Sequence, residues 1–405
     1  MKKLAFLLLF SAAIQVKAQT KNNNIIIGKK DSVYSHILNE KREIWIYLPS
    51  SYNPENSSKR FPVMYLLDGD AHFHSVTGLI QQLAGGINGN SIFPDMIVVG
   101  IPNTDRTRDL THVASRVTPD GREADFLKSS GGGENFISFM RKELIPSIEK
   151  KYFTAPHRML VGHSFGGIVA INVLLNHTYL FNSYISIDPS MWWAEGDLIQ
   201  QARKKLASKD FKNKSLYLAV ANTMPPGIEI KEVENDTSLN TEHIRSIMEL
   251  THILEANKNN GLEYAWKFYS EDDHGSVPLI SEYDGLRFIF NDYRLSANAA
   301  IMGLDTIIKH YKKVSLKMGY TILPPEELVN GLGYFHLQNG DIEKAIQHFK
   351  WNVINYSQSS NVYDSLGDAL IASGDKEKAI ENYKIAIKLD PQSITRSKLD
   401  ELMKK

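Results

Sequence analysis

The chain contains Val161-Gly162-His163-Ser164-Phe165-Gly166-Gly167, a match to the pattern Gly-x-Ser-x-Gly. The residues just before it, 158–161, have the composition of a short buried strand, and the apolar run over 167–175 has that of a helix. In the context of strand, sharp turn and helix, this pattern forms a nucleophile elbow, with the serine hydroxyl exposed above a sheet. We therefore predict Ser164 as a nucleophile. The alternative is a Gly-Ser loop that matches the pattern by coincidence.

Strands and helices alternate on both sides of this turn. Strands are predicted over 43–48, 61–67, 95–101, 158–161, 183–187, 216–221 and 263–269, and helices over 72–84, 136–152, 167–175 and 241–257. The run Phe61–Leu67 is continuously apolar, which is typical of a strand that is buried on both faces. Such alternation predicts the α/β class, with a mostly parallel sheet covered by helices on both faces.

Polar residues follow several of these strands. In an open parallel sheet, reactive groups lie in loops beyond the carboxyl ends of the strands. Four features occupy such loops: Asp68-Gly69-Asp70, Ser164, the segment 222–236 and His274. Serine, acid and histidine then follow one another along the chain in the order typical of nucleophile-elbow hydrolases.

Length and charge narrow the class of protein. A chain of 405 residues is too long for one ordinary domain and predicts two. Lys+Arg and Asp+Glu are both 46, so the net charge is zero, which argues against a nucleic-acid partner. The sequence shows no metal-ligand spacing, phosphate-binding loop or dinucleotide fingerprint, so we expect no cofactor and no metal.

The N-terminus predicts export. Basic residues are followed by an apolar core, and Val16-Lys17-Ala18 has cleavage-site spacing, which indicates a signal peptide over 1–18. No other stretch has the length of a membrane span. The chain has no cysteine, so its fold is held without disulfides. We expect a periplasmic or secreted protein; the alternative is an uncleaved anchor.

Residues 25–295 resemble the putative esterase (esterase D-like) family of α/β-hydrolases, which includes siderophore trilactone and feruloyl esterases. The resemblance rests on the elbow and on the matching stretches 65–69, 99–109, 143–146, 189–193 and 273–276. One departure is Asp68-Gly69, where many relatives have His-Gly. The resemblance implies hydrolysis of carboxylic esters, with a small-molecule or glycan ester as substrate.

A serine nucleophile needs a base, and the base needs an orienting acid. His274 is predicted as the base, because it follows a strand and lies in a Gly/Ser loop. Asp236 is the first choice for the acid. Glu229, Glu234 and Asp188 remain open, as does the Ser-His dyad that the resemblance implies for some siderophore esterases.

Two backbone N–H groups are expected to bind the oxyanion, those of Phe165 and Asp70. The alternative for the stretch at Asp70 is a tight turn without this role. Arg106 is a candidate for a substrate anion, with an internal ion pair that braces its loop as the alternative. Trp192 and Trp193 are candidates for the wall of the substrate pocket, with plain core packing as the alternative.

The C-terminal part shows a repeat. The pair Leu332-Gly333 recurs as Leu366-Gly367, and the aromatic residue Phe349 recurs as Tyr383. Each match is offset by 34 positions, the tetratricopeptide period. We predict a helical connector over 296–325 and a small all-α tetratricopeptide module over 326–405. Its role is either to bind a protein or peptide partner or to buttress the hydrolase.

Together these features predict an exported serine esterase that acts through an acyl-enzyme, on a siderophore lactone or an acylated glycan. Two rivals remain: a scaffold protein with a vestigial hydrolase domain, in which the repeats bind the partner, and an acyltransferase.

Overall fold

The structure, a computed structural model, describes residues 24–55, 59–84, 91–118, 121–296 and 303–404. The signal peptide expected over 1–18 lies outside these ranges. Within them, no helix combines the length and the apolar character needed to cross a membrane.

Eight strands form one sheet in the spatial order β1-β2-β4-β3-β5-β6-β7-β8. Their bounds are Lys29–Ser35 (β1), Glu40–Tyr47 (β2), Phe61–Leu67 (β3), Ile97–Ile101 (β4), Thr154–His163 (β5), Ser183–Ile187 (β6), Lys214–Ala221 (β7) and Leu262–Tyr269 (β8). β1, β2 and β4 pair antiparallel, whereas β4, β3, β5, β6, β7 and β8 run parallel. The predicted mostly parallel sheet is confirmed.

Helices connect the parallel strands and continue into the C-terminal part. Their bounds are Gly69–Leu83 (α1), Arg106–Leu110 (α2), Gly133–Phe139 (α3), Ile145–Lys151 (α4), Phe165–Asn176 (α5), Trp193–Ser208 (α6), Glu242–Ala256 (α7), Val277–Ile289 (α8), Leu304–Met318 (α9), Glu326–Gln338 (α10), Ile342–Asn355 (α11), Ser360–Ala372 (α12), Lys376–Leu389 (α13) and Thr395–Lys404 (α14). A π-helical turn, Met140–Leu144, joins α3 to α4. The helices α6 and α8 lie where the sequence analysis predicted none.

The sheet has an apolar core on each face. Alternate residues of β3 enter opposite cores, Tyr65 on one face and Met64 and Leu66 on the other, because successive side chains of a strand point to opposite sides. The helix α9 adds Val314 and Met318 to the second core. The expected connector therefore packs on the sheet through α9.

The helices α10 to α13 form two pairs with the same internal contact. Gly333 of α10 faces the ring of Phe349 on α11, and Gly367 of α12 faces the ring of Tyr383 on α13. A Cβ atom on these glycines would lie 2.5 and 2.3 Å from the respective ring. The small residue and the aromatic residue thus meet at equivalent places in both pairs, as the 34-residue offset predicts.

Gly333→Ala is expected to open the contact between α10 and α11, because its new Cβ has no room beside the Phe349 ring. Overpacking of this kind costs roughly 1–3 kcal/mol, so amide hydrogen exchange over 326–355 should accelerate in the full-length protein. Gly331→Ala is the matched control on the same helix, since its Cβ would meet nothing within 4 Å. Equal exchange in the two variants would contradict this packing.

Candidate active site

Ser164 occupies the sharp turn between β5 and α5. Its backbone has φ 59° and ψ −114°, a conformation that is disfavoured for a residue with a Cβ atom. A Cβ on Gly162 would lie 2.2 Å from the carbonyl oxygen of Gly166. Glycine at 162 therefore allows β5 and α5 to approach, and the turn presents Ser164 at the carboxyl end of the strand, as a nucleophile elbow does.

His274 lies in the loop after β8, and its Nδ1 is 2.5 Å from Oδ2 of Asp188. Asp188 directly follows β6 and is buried. Its Oδ1 accepts the N–H of Ala221 at 2.9 Å, and Oδ2 also contacts Nε2 of His243 at 2.8 Å. Burial alone would raise the pKa of the Asp188 carboxyl, but the hydrogen bonds from His243 and His274 outweigh it and hold that pKa well below its usual range. Asp188 is therefore ionised at neutral pH.

Asp236, the first choice for the acid, does not contact this imidazole, and that choice needs correction. Its carboxylate lies at the surface and accepts hydrogen bonds from Ser238. Glu229 and Glu234 are exposed and form ion pairs elsewhere. Asp188 is the one of the four carboxylates considered that contacts the ring. The acidic side chains of the loop after β7 lie at the surface.

The hydroxyl of Ser164 points towards Ser190. The two Oγ atoms are 3.3 Å apart, and Ser190 is buried. Ser164 Oγ therefore makes its hydrogen bond with Ser190 rather than with His274. Catalytic hydrogen bonds often close only once substrate is bound, and a rotation about the Cα–Cβ bond of the serine redirects its hydroxyl.

His163 packs beneath His274. The two ring centroids are 4.4 Å apart, and the ring of His72 lies 5.8 Å from that of His163 on another side. Burial, together with the neighbouring His274 and His72, lowers the pKa of His163 to about 3. A neutral imidazole thus supports His274 without adding a charge.

The expected oxyanion loop is a tight turn between β3 and α1. Asp68 has a left-handed backbone, φ 50° and ψ 44°, and a Cβ on Gly69 would lie 2.6 Å from the backbone nitrogen of Ile101. The amide N–H groups of Asp70 and Phe165 lie in the first turns of α1 and α5, where helical N–H groups have no partner in their own helix. They remain predicted oxyanion donors. The side chain of Asp70 is exposed.

Arg106 forms the internal ion pair that was considered as the alternative to substrate binding. Its Nε and Nη2 donate to Oδ1 and Oδ2 of Asp68 at 2.7 and 3.0 Å. Burial would raise the pKa of Asp68, but Arg106 outweighs it and lowers that pKa. Its guanidinium also lies 5.3 Å from the ring of Phe165. The pair braces the turn beside the elbow, and a substrate contact remains a prediction for the exposed edge of Arg106.

The two tryptophans have different environments. Trp193 is 1% exposed, and its Nε1 donates to the carbonyl of Val113 at 2.9 Å. It is a core residue, so its prediction as a substrate contact is corrected. Trp192 is partly buried, packs near Phe165, and donates from Nε1 to Nδ1 of His243 at 3.0 Å. Trp192 remains a candidate for the pocket wall.

An α/β-hydrolase is defined by this combination of an open parallel sheet, a strained serine between β5 and α5, and a carboxylate–histidine pair beyond β6 and β8. The family model described as "Putative esterase" matches residues 35–270, and a tetratricopeptide repeat model matches residues 360–393. The first match covers more than half of the chain. The protein therefore belongs to the putative esterase family, as its sequence predicted.

Similar proteins include named esterases. Ferri-bacillibactin esterase BesA of Bacillus subtilis is 26% identical over 261 residues, which are 62% of this chain and 86% of BesA. Siderophore triacetylfusarinine C esterase of Aspergillus fumigatus is 25% identical over 246 residues, 57% of this chain and 82% of that enzyme. The IroE-like serine hydrolase from Shewanella oneidensis aligns with a TM-score of 0.67 and 31% identity, over 77% of this chain and 95% of that one. Ester hydrolysis is thus the class of activity to which the chain belongs.

Glu282 is a buried acid near this site that the sequence analysis did not single out. It lies on α8, where its Oε2 accepts a hydrogen bond from Ser75 of α1 at 2.8 Å. His72 Nδ1 lies 3.4 Å from its Oε1. Burial raises the pKa of Glu282 to about 8. The folded protein therefore keeps a neutral carboxylic acid between α1, which follows the predicted oxyanion loop, and α8, which follows the His274 loop.

Glu282→Gln is expected to stabilise the protein at alkaline pH. The unfolded chain loses this proton near pH 4.5 and the folded protein near pH 8, so the stability of the wild type falls as pH rises through this window. Glutamine does not ionise. The difference in melting temperature, variant minus wild type, should increase between pH 5 and 9. It should grow by about 2–4 °C for each kcal/mol of difference in the free energy of unfolding. A difference in melting temperature that is flat with pH for Glu282→Gln would contradict the raised pKa of this carboxyl.

Proposed function

We propose that the protein is a serine esterase that works through an acyl-enzyme, with Ser164, His274 and Asp188 as its triad. The observation that carries the proposal is the hydrogen bond from His274 Nδ1 to the buried Asp188, formed beside the strained turn of Ser164. With its Nδ1 proton directed at a carboxylate, the imidazole has Nε2 free as a base.

In the proposed first step, Ser164 Oγ turns from Ser190 and attacks the ester carbonyl while Nε2 of His274 takes its proton. Asp188 stabilises the resulting imidazolium. The oxyanion accepts hydrogen bonds from the amides of Phe165 and Asp70. His274 then gives its proton to the departing alcohol, which leaves the acyl group on Ser164.

In the second step the same groups act on water. His274 removes a proton from a water molecule, which attacks the acyl carbonyl, and the proton returns to Ser164 as the acid departs. An added alcohol in place of water would give acyl transfer, the rival that product analysis distinguishes.

The proposed substrate is a siderophore lactone, with an acylated glycan as the second candidate. The named relatives are siderophore esterases, which supports the first. The partly buried ring of Trp192 beside Phe165 and the 35% exposed side chain of Arg106 offer an aromatic and a cationic contact close to Ser164. Both contacts suit an aromatic or anionic substrate.

We further propose that the chain is exported after cleavage of its signal peptide, with the esterase domain over 25–295, the connector over 296–325 and the tetratricopeptide module over 326–405. Support for export is the composition of residues 1–18. The module is proposed to bind a protein or peptide partner, while α9 anchors it to the sheet.

Labelling of Ser164 by a fluorophosphonate, absent in Ser164→Ala, tests the proposed enzyme against the rival, a scaffold with a vestigial hydrolase.

Asp188→Asn should lower kcat for a short-chain aryl ester by a large factor, on the order of 10⁴. The amide keeps the size of the side chain but provides no negative charge to hold His274 in the correct tautomer. Asp236→Asn is the matched control and should stay within about twofold of wild type, because its side chain lies at the surface. A large loss in Asp236→Asn with an active Asp188→Asn would overturn the assignment of the acid.

A further inference from the structure

His243, on α7, shares the carboxylate of Asp188 with His274. Its Nε2 and Nδ1 of His274 lie 2.8 and 2.5 Å from the same oxygen, Oδ2. The two rings are perpendicular, at 89°, with centroids 5.2 Å apart. Since Oδ1 accepts the N–H of Ala221, the carboxylate is held by three elements besides its own: the end of β7, the loop after β8, and α7.

Trp192 determines which nitrogen of His243 carries the proton. An indole N–H only donates, so Nδ1 of His243, 3.0 Å from it, accepts. A neutral imidazole with an accepting Nδ1 carries its proton on Nε2, and that N–H points at Asp188. The result is one chain of hydrogen bonds from Trp192 through His243 to Asp188, where it meets the bond from His274.

We propose that His243 is a positioning residue of the esterase site: it holds Asp188 in place for His274, and Trp192 fixes its tautomer. The proposal rests on the serine mechanism above. In this proposal His243 acts through Asp188 and not through a hydrogen bond of its own to Ser164 or His274.

Asp188, His243 and His274 also have the residue types of a metal site, and their ligand atoms lie within 4.8 Å of one another. Their N···O distances of 2.5 and 2.8 Å are hydrogen-bond lengths. Ligands held at about 2.0–2.1 Å around one zinc ion lie roughly 3 Å or more apart. The geometry therefore favours shared protons.

The test compares His243→Leu with His243→Gln in the full-length protein. Leucine removes both hydrogen bonds, whereas the glutamine amide keeps one group that donates and one that accepts. We expect kcat/KM for p-nitrophenyl acetate to fall about 10- to 100-fold in the leucine variant. Glutamine should restore most of the activity. Wild-type activity in a folded leucine variant, no rescue by glutamine, or activity that is lost with a chelator and restored by zinc, would overturn the proposal.

Two further measurements separate the outcomes. Fluorophosphonate labelling of the wild type at Ser164 tests the serine mechanism itself. If no label is found at Ser164, the proposed function is contradicted, whatever the role of His243. If the leucine variant does not fold, ¹⁵N spectra of the histidine rings give the answer in the wild type. We expect one neutral ring, absent from the spectrum of His243→Gln, to carry its proton on Nε2, and to lose this single tautomer in Trp192→Phe. A mixture of tautomers in the wild type would contradict the role of Trp192.

Discussion

The backbone of Ser164 is held by the loop that carries Asp188. The serine N–H donates to the carbonyl of Ile187 at 2.9 Å, and the serine carbonyl accepts the N–H of Ser190 at 3.2 Å. Asp188 lies between these two residues, so the strained turn and the carboxylate form one rigid unit. Strain of this kind persists where the surroundings over-determine the conformation, and here the end of β6 supplies that constraint. Movement of the loop would displace the proposed nucleophile and the acid together.

The helices around the site are also held by contacts between segments that are distant in the chain. The Arg106–Asp68 ion pair braces the turn before α1, and Arg106 reaches the carbonyl of His163 at 3.2 Å. Ser75 and Glu282 link α1 to α8. The groups of the site are thus carried by the first turns of helices and by short loops that are bonded to one another. These contacts hold the backbone around the site in one arrangement, which supports the oxyanion stabilisation proposed for the amides of Phe165 and Asp70.

The C-terminal helices have two relationships to the sheet. α9 contributes Val314 and Met318 to the core beneath the sheet, so it is part of the structure that carries the site. The helix pairs α10 to α13 have a separate apolar cluster that includes Ala345, Phe349 and Leu370. The packing of α9 anchors the C-terminal part to the sheet, and the separate core of the repeats supports the proposal that the module binds a partner.

Local sequence indicated most of the strands and the elbow at Ser164, because the apolar period and the glycines act over a few neighbouring residues. The 34-residue offset indicated the repeat. The order of residues along the chain also indicated His274. It did not determine which carboxylate meets the imidazole, or that Trp193 is core and Trp192 is not. The choice of Asp188 depends on its contacts with α7 and with the loop after β8, 55 and 86 residues away along the chain. Trp193 donates a hydrogen bond to the carbonyl of Val113, 80 residues away. The direction of a side chain on a long loop is decided by packing between distant segments, and only the tertiary structure brings those segments together.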